Sequence, residues 1–387
     1  MDDSVTYLDR LAWLFWLLGI AYLCVYIFTS SHLNVDVIYL NAGKHWLEGK
    51  PLYDGSGQGF VYFPQSAALF SLFTLLPYKM AAILLRVLYV AFLSLGLWYF
   101  RLTLEVRHKS LFLVMSLICY IIALGALKLA QLNVVVSIFS LFSVICIAHE
   151  RWSMASFLMV LSIIIKPTMA PFFLVFVVLY PVKLRVTLFL IIGFIFPFIL
   201  QSPSYVMSQY IAYIQYYHVL VNTTTSTGWA NLLGVFNILF GIEIPNRFLP
   251  LVSVVFGILT FFICLYCKKH FSHKIGILLI YTFCACFLML FNPRTENNAY
   301  IILAPAIVWL AYYYMQHHHN TIIGLMTFVM LLFMVFNFPL SNAFLNGMPF
   351  IRPLVTLLVV VQLVYMIYDH RNSIFKKHKL TNQGESA

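Results

Sequence analysis

The sequence predicts an all-α protein: a polytopic transmembrane helical bundle of about twelve spans, built as one domain over residues 1–387. Three observations carry this. Hydrophobic residues are 63% of the chain and charged residues 9%, where soluble domains carry about 25% charge, and mean hydropathy is +0.93. Apolar runs of about 18 residues or more recur from end to end, the length a helix needs to cross a bilayer. Alternating strand patterns are absent, which argues against a β-barrel.

Taken in order, polar punctuation cuts the chain into spans near 11–29, 80–100, 110–127, 131–148, 152–165, 169–182, 186–201, 247–267, 275–291, 298–315, 320–338 and 353–368. The first follows an acidic N-terminus and lacks a small-residue cleavage site, so it reads as a retained span rather than a signal peptide. Runs 152–165 and 169–182 are short for a crossing; they are expected to be tilted or to form a broken hairpin. The stretch Pro64–Pro77 is apolar but shorter still, and is expected to be an interfacial or re-entrant helix. No internal repeat of the kind common in secondary transporters is evident.

Between the spans the loops alternate in charge. One side carries Arg101, Arg107, Lys109, Arg151, Lys183, Arg185, Lys268, Lys269, Lys274 and a basic tail with Arg371, Lys376, Lys377 and Lys379. The positive-inside rule makes that side cytoplasmic, with both termini on it. The longer segments, 34–79, 202–246 and 339–352, fall on the extracytoplasmic side. Acids there are Asp36, Glu48, Asp54, Glu243 and Glu296; bases include Lys44, Lys79, Arg86, Lys128, Lys166, Arg247, Arg294 and Arg352. The net charge of +11 does not indicate a nucleic-acid partner, because the bases sit in short clusters between apolar runs, as orientation signals do. A bacterial inner membrane suits the short cytoplasmic loops; an endoplasmic-reticulum membrane is compatible.

Several motifs are set aside. The seven cysteines lie mostly inside apolar runs. Cys264/Cys267 and Cys284/Cys286 have metal-like spacing without His or Asp partners, so they read as small buried hydrophobes. His317-His318-His319 reads as a solvated loop. Asn222-Thr223-Thr224 fits a glycosylation acceptor, which matters only in a secretory host. No Gly-rich phosphate loop, HExxH or GxSxG is present.

The candidate chemistry lies at the extracytoplasmic ends. Asp36 sits just beyond the first span, where a carboxylate beside a membrane helix is expensive and wants a reason. It can act as a general base toward a hydroxyl, or cap the helix that starts with Val37-Ile38-Tyr39. Asp54, beside Gly55, reads as a turn residue. Three polar corners, Lys128-Leu129-Ala130-Gln131-Leu132-Asn133, Lys166-Pro167 and Asn292-Pro293-Arg294-Thr295-Glu296-Asn297-Asn298, lie on the same side and can converge. Lys128, Lys166 and Arg294 suit a phosphate whose tail stays in the bilayer; each can equally snorkel and orient a helix end. The Tyr-rich stretch from Tyr205 to His218, and then Trp229, Asn231 and Asn237, can bind sugar or form an ordinary interfacial belt.

The segments Asp36-Val-Ile-Tyr-Leu-Asn-Ala, Gly49-Lys-Pro-Leu-Tyr-Asp, Phe60-Val-Tyr-Phe-Pro64, Ala130-Gln-Leu-Asn133 and Ile165-Lys-Pro167 occur in this order. That order resembles the C-type membrane glycosyltransferases, and most closely the family-87 polyprenyl-phosphate-mannose-dependent mannosyltransferases, over about residues 34–310. The resemblance implies an active site on the extracytoplasmic face, a lipid-phosphate hexose donor, most closely mannose, and a lipid or glycan acceptor. It implies catalysis by Asp36 as general base, with Gln131 and Asn133 at the family's Gln-x-Asn corner. Many relatives carry Gly before that Gln, where this chain has Ala130, so the local turn is a point of departure. With Tyr62, Lys128, Lys166 and Arg294 these residues complete the expected substrate-binding set; neither nucleotide, metal nor other cofactor is required. The rival expectations are a transporter or flippase of a lipid-linked sugar, a ligase or polymerase moving a whole glycan, and a non-catalytic scaffold. Translocation of unaltered substrate would favour the first.

Overall fold

A computed structural model describes residues 6–30, 35–53, 59–104, 106, 108–223, 229–241, 249–317, 321–337 and 350–384. Asn34, Asp54, Thr224, Glu243, Arg247, His318, His319 and residues 339–349 lie outside the described residues. Among the described residues the regular structure is all helix, with no strand.

The first helix, α1 (Tyr7–Thr29), opens on a capping box: the Thr6 side chain accepts from the Asp9 amide, and the Asp9 carboxylate accepts from the Thr6 amide. Asp9 is fully buried because Arg101, at the end of α4 (Tyr78–Thr103), reaches it at 2.6 Å. Higher up, the Trp16 indole donates to Ser116 at 2.9 Å on α5 (Leu111–Lys128). Both contacts give an otherwise apolar packing a fixed register.

The chain then folds as helical hairpins: α6 (Leu132–Ala148) with α7 (Trp152–Ile165), α13 (Leu249–His270) with α14 (His273–Phe291), and α15 (Ala304–His317) with α16 (Thr321–Val335). Between them run α8 (Ala170–Leu179), α9 (Lys183–Ile195) and α10 (Pro197–Leu200), and α17 (Ile351–Gly384) packs on α14 and α16. The helix α14 is the central post, buried along most of its length, while α9–α10 and α13 are mostly unburied and present apolar side chains such as Leu184, Ile199, Val254 and Phe262 outward. An outer face of that kind suits lipid rather than water.

Each expected span coincides with a helix, but their lengths differ. Seven are long and apolar enough to cross a membrane unaided; 132–148, 152–165, 167–179 and 321–335 are shorter apolar helices. The remaining segment is split, a 3₁₀ turn (Asn297–Ile302) followed by the fourteen residues of α15.

Most of the long segments between spans are helical too. In the first, α2 (Val35–Glu48) packs on α3 (Pro64–Ser71), and a 3₁₀ turn (Leu72–Leu75) completes the Pro64–Pro77 stretch as a helix. Pro64 stands at the first helical position, where its missing N–H leaves no bond unmade. The α2–α3 approach is so close that a Cβ on Gly43 would lie 2.8 Å from the Phe70 backbone carbon. In the second long segment, α11 (Pro203–Thr223) and α12 (Leu232–Phe240) follow one another. Side chains of α11 hold the extended residues after α2: Gln209 accepts from the Leu52 amide at 3.0 Å and the Tyr205 hydroxyl donates to the Lys50 carbonyl at 2.7 Å. A segment without ladder partners must satisfy its backbone in this way. The aromatic stretch from Tyr205 onward therefore serves partly as a clamp on the first loop.

All the cysteines except half-buried Cys24 are buried and none is paired. Among the described residues no group of His, Cys, Asp or Glu has the geometry of a metal site.

Candidate active site

Helix termini build this site. The α5–α6 corner is closed by a double hydrogen bond: the Gln131 amide donates to the Ala126 carbonyl at 2.8 Å and the Ala130 amide to the Leu127 carbonyl at 3.2 Å. This pattern requires a left-handed residue at the fifth of its six positions, normally glycine. Ala130 supplies it with φ of 53°. The turn thus keeps the glycine-type conformation without the glycine, and it aims Gln131 and Asn133 back over the bundle end.

Around Asn133 three corners meet. Its amide nitrogen donates to Glu296 Oε2 at 2.9 Å and lies 3.3 Å from Gln131 Oε1. Its amide oxygen accepts from Lys166 Nζ. Lys166 is placed by the break between α7 and the 3₁₀ turn Pro167–Met169, where proline forbids continuation of the helix. Burial pulls the Lys166 ammonium below the ordinary lysine range, an effect that the Glu296 carboxylate opposes and Arg294 reinforces. Arg294 stacks on Trp229 at 5.2 Å. Its corner is braced from α12: Asn231 donates to the carbonyls of Asn292 and Pro293, each at 3.1 Å, and the Ala230 amide donates to the Thr295 carbonyl at 2.8 Å.

The first loop covers this cluster. Tyr62 feels both Glu296 and Arg294, and its enclosure pushes the phenol up to about 12. Its hydroxyl is 3.3 Å from that of Tyr39 on α2, also raised by burial. Both phenols are therefore neutral hydrogen-bonding groups at physiological pH. Tyr89 on α4 links the cluster to the acid: its buried hydroxyl has no hydrogen-bond partner, and it lies within electrostatic reach of Tyr62, Arg86 and Asp36.

Asp36 itself lies in the first turn of α2, wholly buried. Arg86 reaches its Oδ2 at 2.8 Å, and the Tyr78 hydroxyl donates to its Oδ1 at 3.3 Å. Arg86 is 1% exposed, and its other nitrogen donates to the Lys128 carbonyl at 2.7 Å. One guanidinium thus ties the first loop to the α5–α6 corner.

Of the residues expected from sequence, Gln131, Asn133, Lys166, Arg294 and Tyr62 come together, and Asp36 stands beside them. Lys128 does not join: its ammonium lies over the rings of Tyr22 and Tyr26 on α1, at 5.2 and 5.1 Å, and only its backbone carbonyl serves the site. The sequence reading left Arg86, Glu296, Tyr39, Tyr78 and Tyr89 out of the site. Arg86 carried a usable signal, a lone arginine within an apolar span, which calls for a partner.

Cations, carboxylates and neutral phenols gathered where apolar helices end can offer hydrogen bonds to a hydroxyl-rich substrate and opposite charge to an ionic one. The model of glycosyltransferase family 87 matches residues 60–293. The chain belongs to glycosyltransferase family 87. This family-87 protein is a membrane glycosyltransferase, with a sugar donor, an acceptor and the membrane as its partners. The matched interval holds Tyr62, Arg86, the α5–α6 corner and Lys166; Asp36, Arg294 and Glu296 fall outside it. Among the curated proteins, none matches the chain.

Proposed function

We propose that this glycosyltransferase moves a hexose, mannose in the first instance, from a polyprenyl-phosphate sugar to a hydroxyl of a lipid or glycan acceptor at the extracytoplasmic face. The observation that supports this reading most is the convergence of Lys166 and Arg294 on one polar cluster at the ends of membrane helices, with a buried carboxylate beside it. A lipid phosphate brings its charge to that depth and leaves its chain in the bilayer, and such cations recognise it.

In this reading the acceptor oxygen attacks the anomeric carbon and its proton passes to Asp36. The bond from that carbon to the phosphate oxygen breaks, and polyprenyl phosphate leaves with the electron pair from the opposite face, so configuration inverts. Asp36 takes the proton on Oδ1, the oxygen that Tyr78 touches, while Arg86 keeps Oδ2. Lys166 and Arg294 offset the charge gathering on the leaving phosphate, an electrostatic role able to supply several kcal/mol. The basic loops set the orientation by the positive-inside rule, and a bacterial inner membrane is the proposed location.

Transfer of label from radiolabelled polyprenyl-phosphate mannose to membrane lipid and glycan, with wild type beside Asp36→Asn at matched expression, tests both halves. Label moving with wild type alone, while Asp36→Asn remains folded and membrane-inserted, supports donor and base. Equal transfer by Asp36→Asn removes Asp36 from the chemistry, and label crossing the membrane unaltered overturns the transferase reading of the donor.

A further inference from the structure

The carboxylate of Glu296 has no role in the reaction as drawn above, yet it sits at the centre of the cluster. Its position is fixed from several directions. The Ala230 amide and the Thr295 hydroxyl, at 2.8 and 3.0 Å, brace the chain just before it, and Arg352 donates to the carbonyl of Asn297 just after it. A side chain on so braced a corner is preorganised.

Its partners are arranged in an informative way. The Asn133 amide stands between Glu296 and Lys166, taking the ammonium on its oxygen and offering its nitrogen to the carboxylate. The ion pairs within 4.0 Å include Lys44–Glu48, Lys50–Glu48, Arg86–Asp36 and Arg101–Asp9, and neither Glu296 nor Lys166 takes part in these. Glu296 and Lys166 do not neutralise each other directly, so each keeps capacity for a further ligand. Both are half-buried rather than sealed. Nearby, Thr168 Oγ1 and Asn297 Oδ1 are buried without hydrogen-bond partners, and such orphans in a native structure want an explanation.

A carboxylate repels phosphate, so the anionic end of a lipid-phosphate sugar belongs to Lys166 and Arg294, and the group beside Glu296 must be a donor. Hydroxyls are what the sugar offers there, and a bond from a hydroxyl to a carboxylate is among the strong ones. We infer that Glu296 is the sugar-reading carboxylate of this site, accepting hydrogen bonds from one hydroxyl or two adjacent hydroxyls of the transferred hexose, with Asn133 holding it in register to the phosphate-binding lysine. This rests on the lipid-phosphate donor proposed above and adds a specificity determinant to it.

The test uses the full-length enzyme in detergent or liposomes with polyprenyl-phosphate mannose and four analogues, each lacking one ring or exocyclic hydroxyl. Wild type is compared with Glu296→Gln, which keeps the acceptor for Asn133 but drops the charge, and with Glu296→Ala. In wild type, removing the hydroxyl that Glu296 reads is expected to lower kcat/KM on the order of a hundredfold or more. In Glu296→Ala that one penalty shrinks to a few-fold while the other hydroxyls keep theirs, and Glu296→Gln falls between. Uniformly lowered transfer with every penalty intact makes Glu296 a brace for Asn133 and overturns the inference alone. Absence of transfer by wild type from any of these donors overturns the donor reading, and the inference with it.

Discussion

Arg86 and Asp36 are 1% and 0% exposed at 2.8 Å, and each makes the other tolerable in the apolar interior. Removing one partner from such a pair costs about 3–5 kcal/mol, because a charge is left stranded. Arg86→Gln is therefore expected to lower the thermal unfolding temperature in detergent more than Asp36→Asn/Arg86→Gln does, with a coupling of about 1–3 kcal/mol. Additive losses would mean that the two side chains act independently. At Lys166 burial disfavours the charged form, so the ammonium that would bind phosphate is lost as pH rises through a value below the ordinary ~10.4. The alkaline limb of kcat/KM, which reports the free enzyme, should move to higher pH in Lys166→Arg. A limb that stays in place assigns it to another group. Asp36 and Lys166 were legible as charges that an apolar chain does not carry idly, and Asn133 through the Gln-x-Asn resemblance. Arg86 was visible too, but nothing in its one-dimensional position, fifty residues from Asp36, says which carboxylate it meets.

At the scale of the element, the site depends on how two short helices stack. A Cβ added to Gly43 would lie 2.8 Å from backbone atoms of Phe70 and Ser71, and backbone cannot swing aside as a side-chain tip can. Gly43→Ala should force α2 off α3, destabilising by about 1–3 kcal/mol and lowering transfer with it, because α2 carries both Asp36 and Tyr39. Asn41→Ala, on the exposed face of the same helix, is the control and should do neither. Equal stability and transfer in both variants would show that the α2–α3 spacing is not required. The corner turns follow the same logic. Gly49 closes α2 with φ of 66° and Ala130 closes α5 with φ of 53°, so the departure from glycine at Ala130 retains the turn at a cost of about 1–2 kcal/mol. The helices of the first and second long segments were less legible. Apolar residues such as Leu47, Met207, Ile211 and Leu239 stay exposed on them, beside the polar and aromatic residues of the same stretches, and the Tyr-rich stretch read as a belt when part of it clamps residues 50–53.

For the whole molecule, all the corners that form the site, at the ends of α5, α7 and α14 and the starts of α4 and α6, fall at one end of the bundle, and Arg101, Lys109, Lys183 and Lys268 fall toward the other. Placing the first end outside makes a topological prediction. A cysteine at Ser202, exposed near the site end, should react with a membrane-impermeant maleimide on intact cells. A cysteine at Lys109 should react only after permeabilisation. The reverse pattern would invert the orientation and move the proposed site to the cytoplasm. Six of the native cysteines are buried, which keeps the background low.

The sequence alone determined that the chain is helical and membrane-embedded, where its apolar span helices lie to within a few residues, and which polar corners stand at their ends. Hydrophobic length and the expense of charge in a bilayer are local properties, and they are written residue by residue. The tertiary structure decided which corners meet: that Asn133 stands between Lys166 and Glu296, that Lys128 turns away to Tyr22 and Tyr26, and that Asp36 is locked by Arg86. Those outcomes depend on helix rotation and tilt. Side-chain packing across the bundle sets both, and packing between residues from 33 to 163 positions apart leaves no periodic mark in the chain.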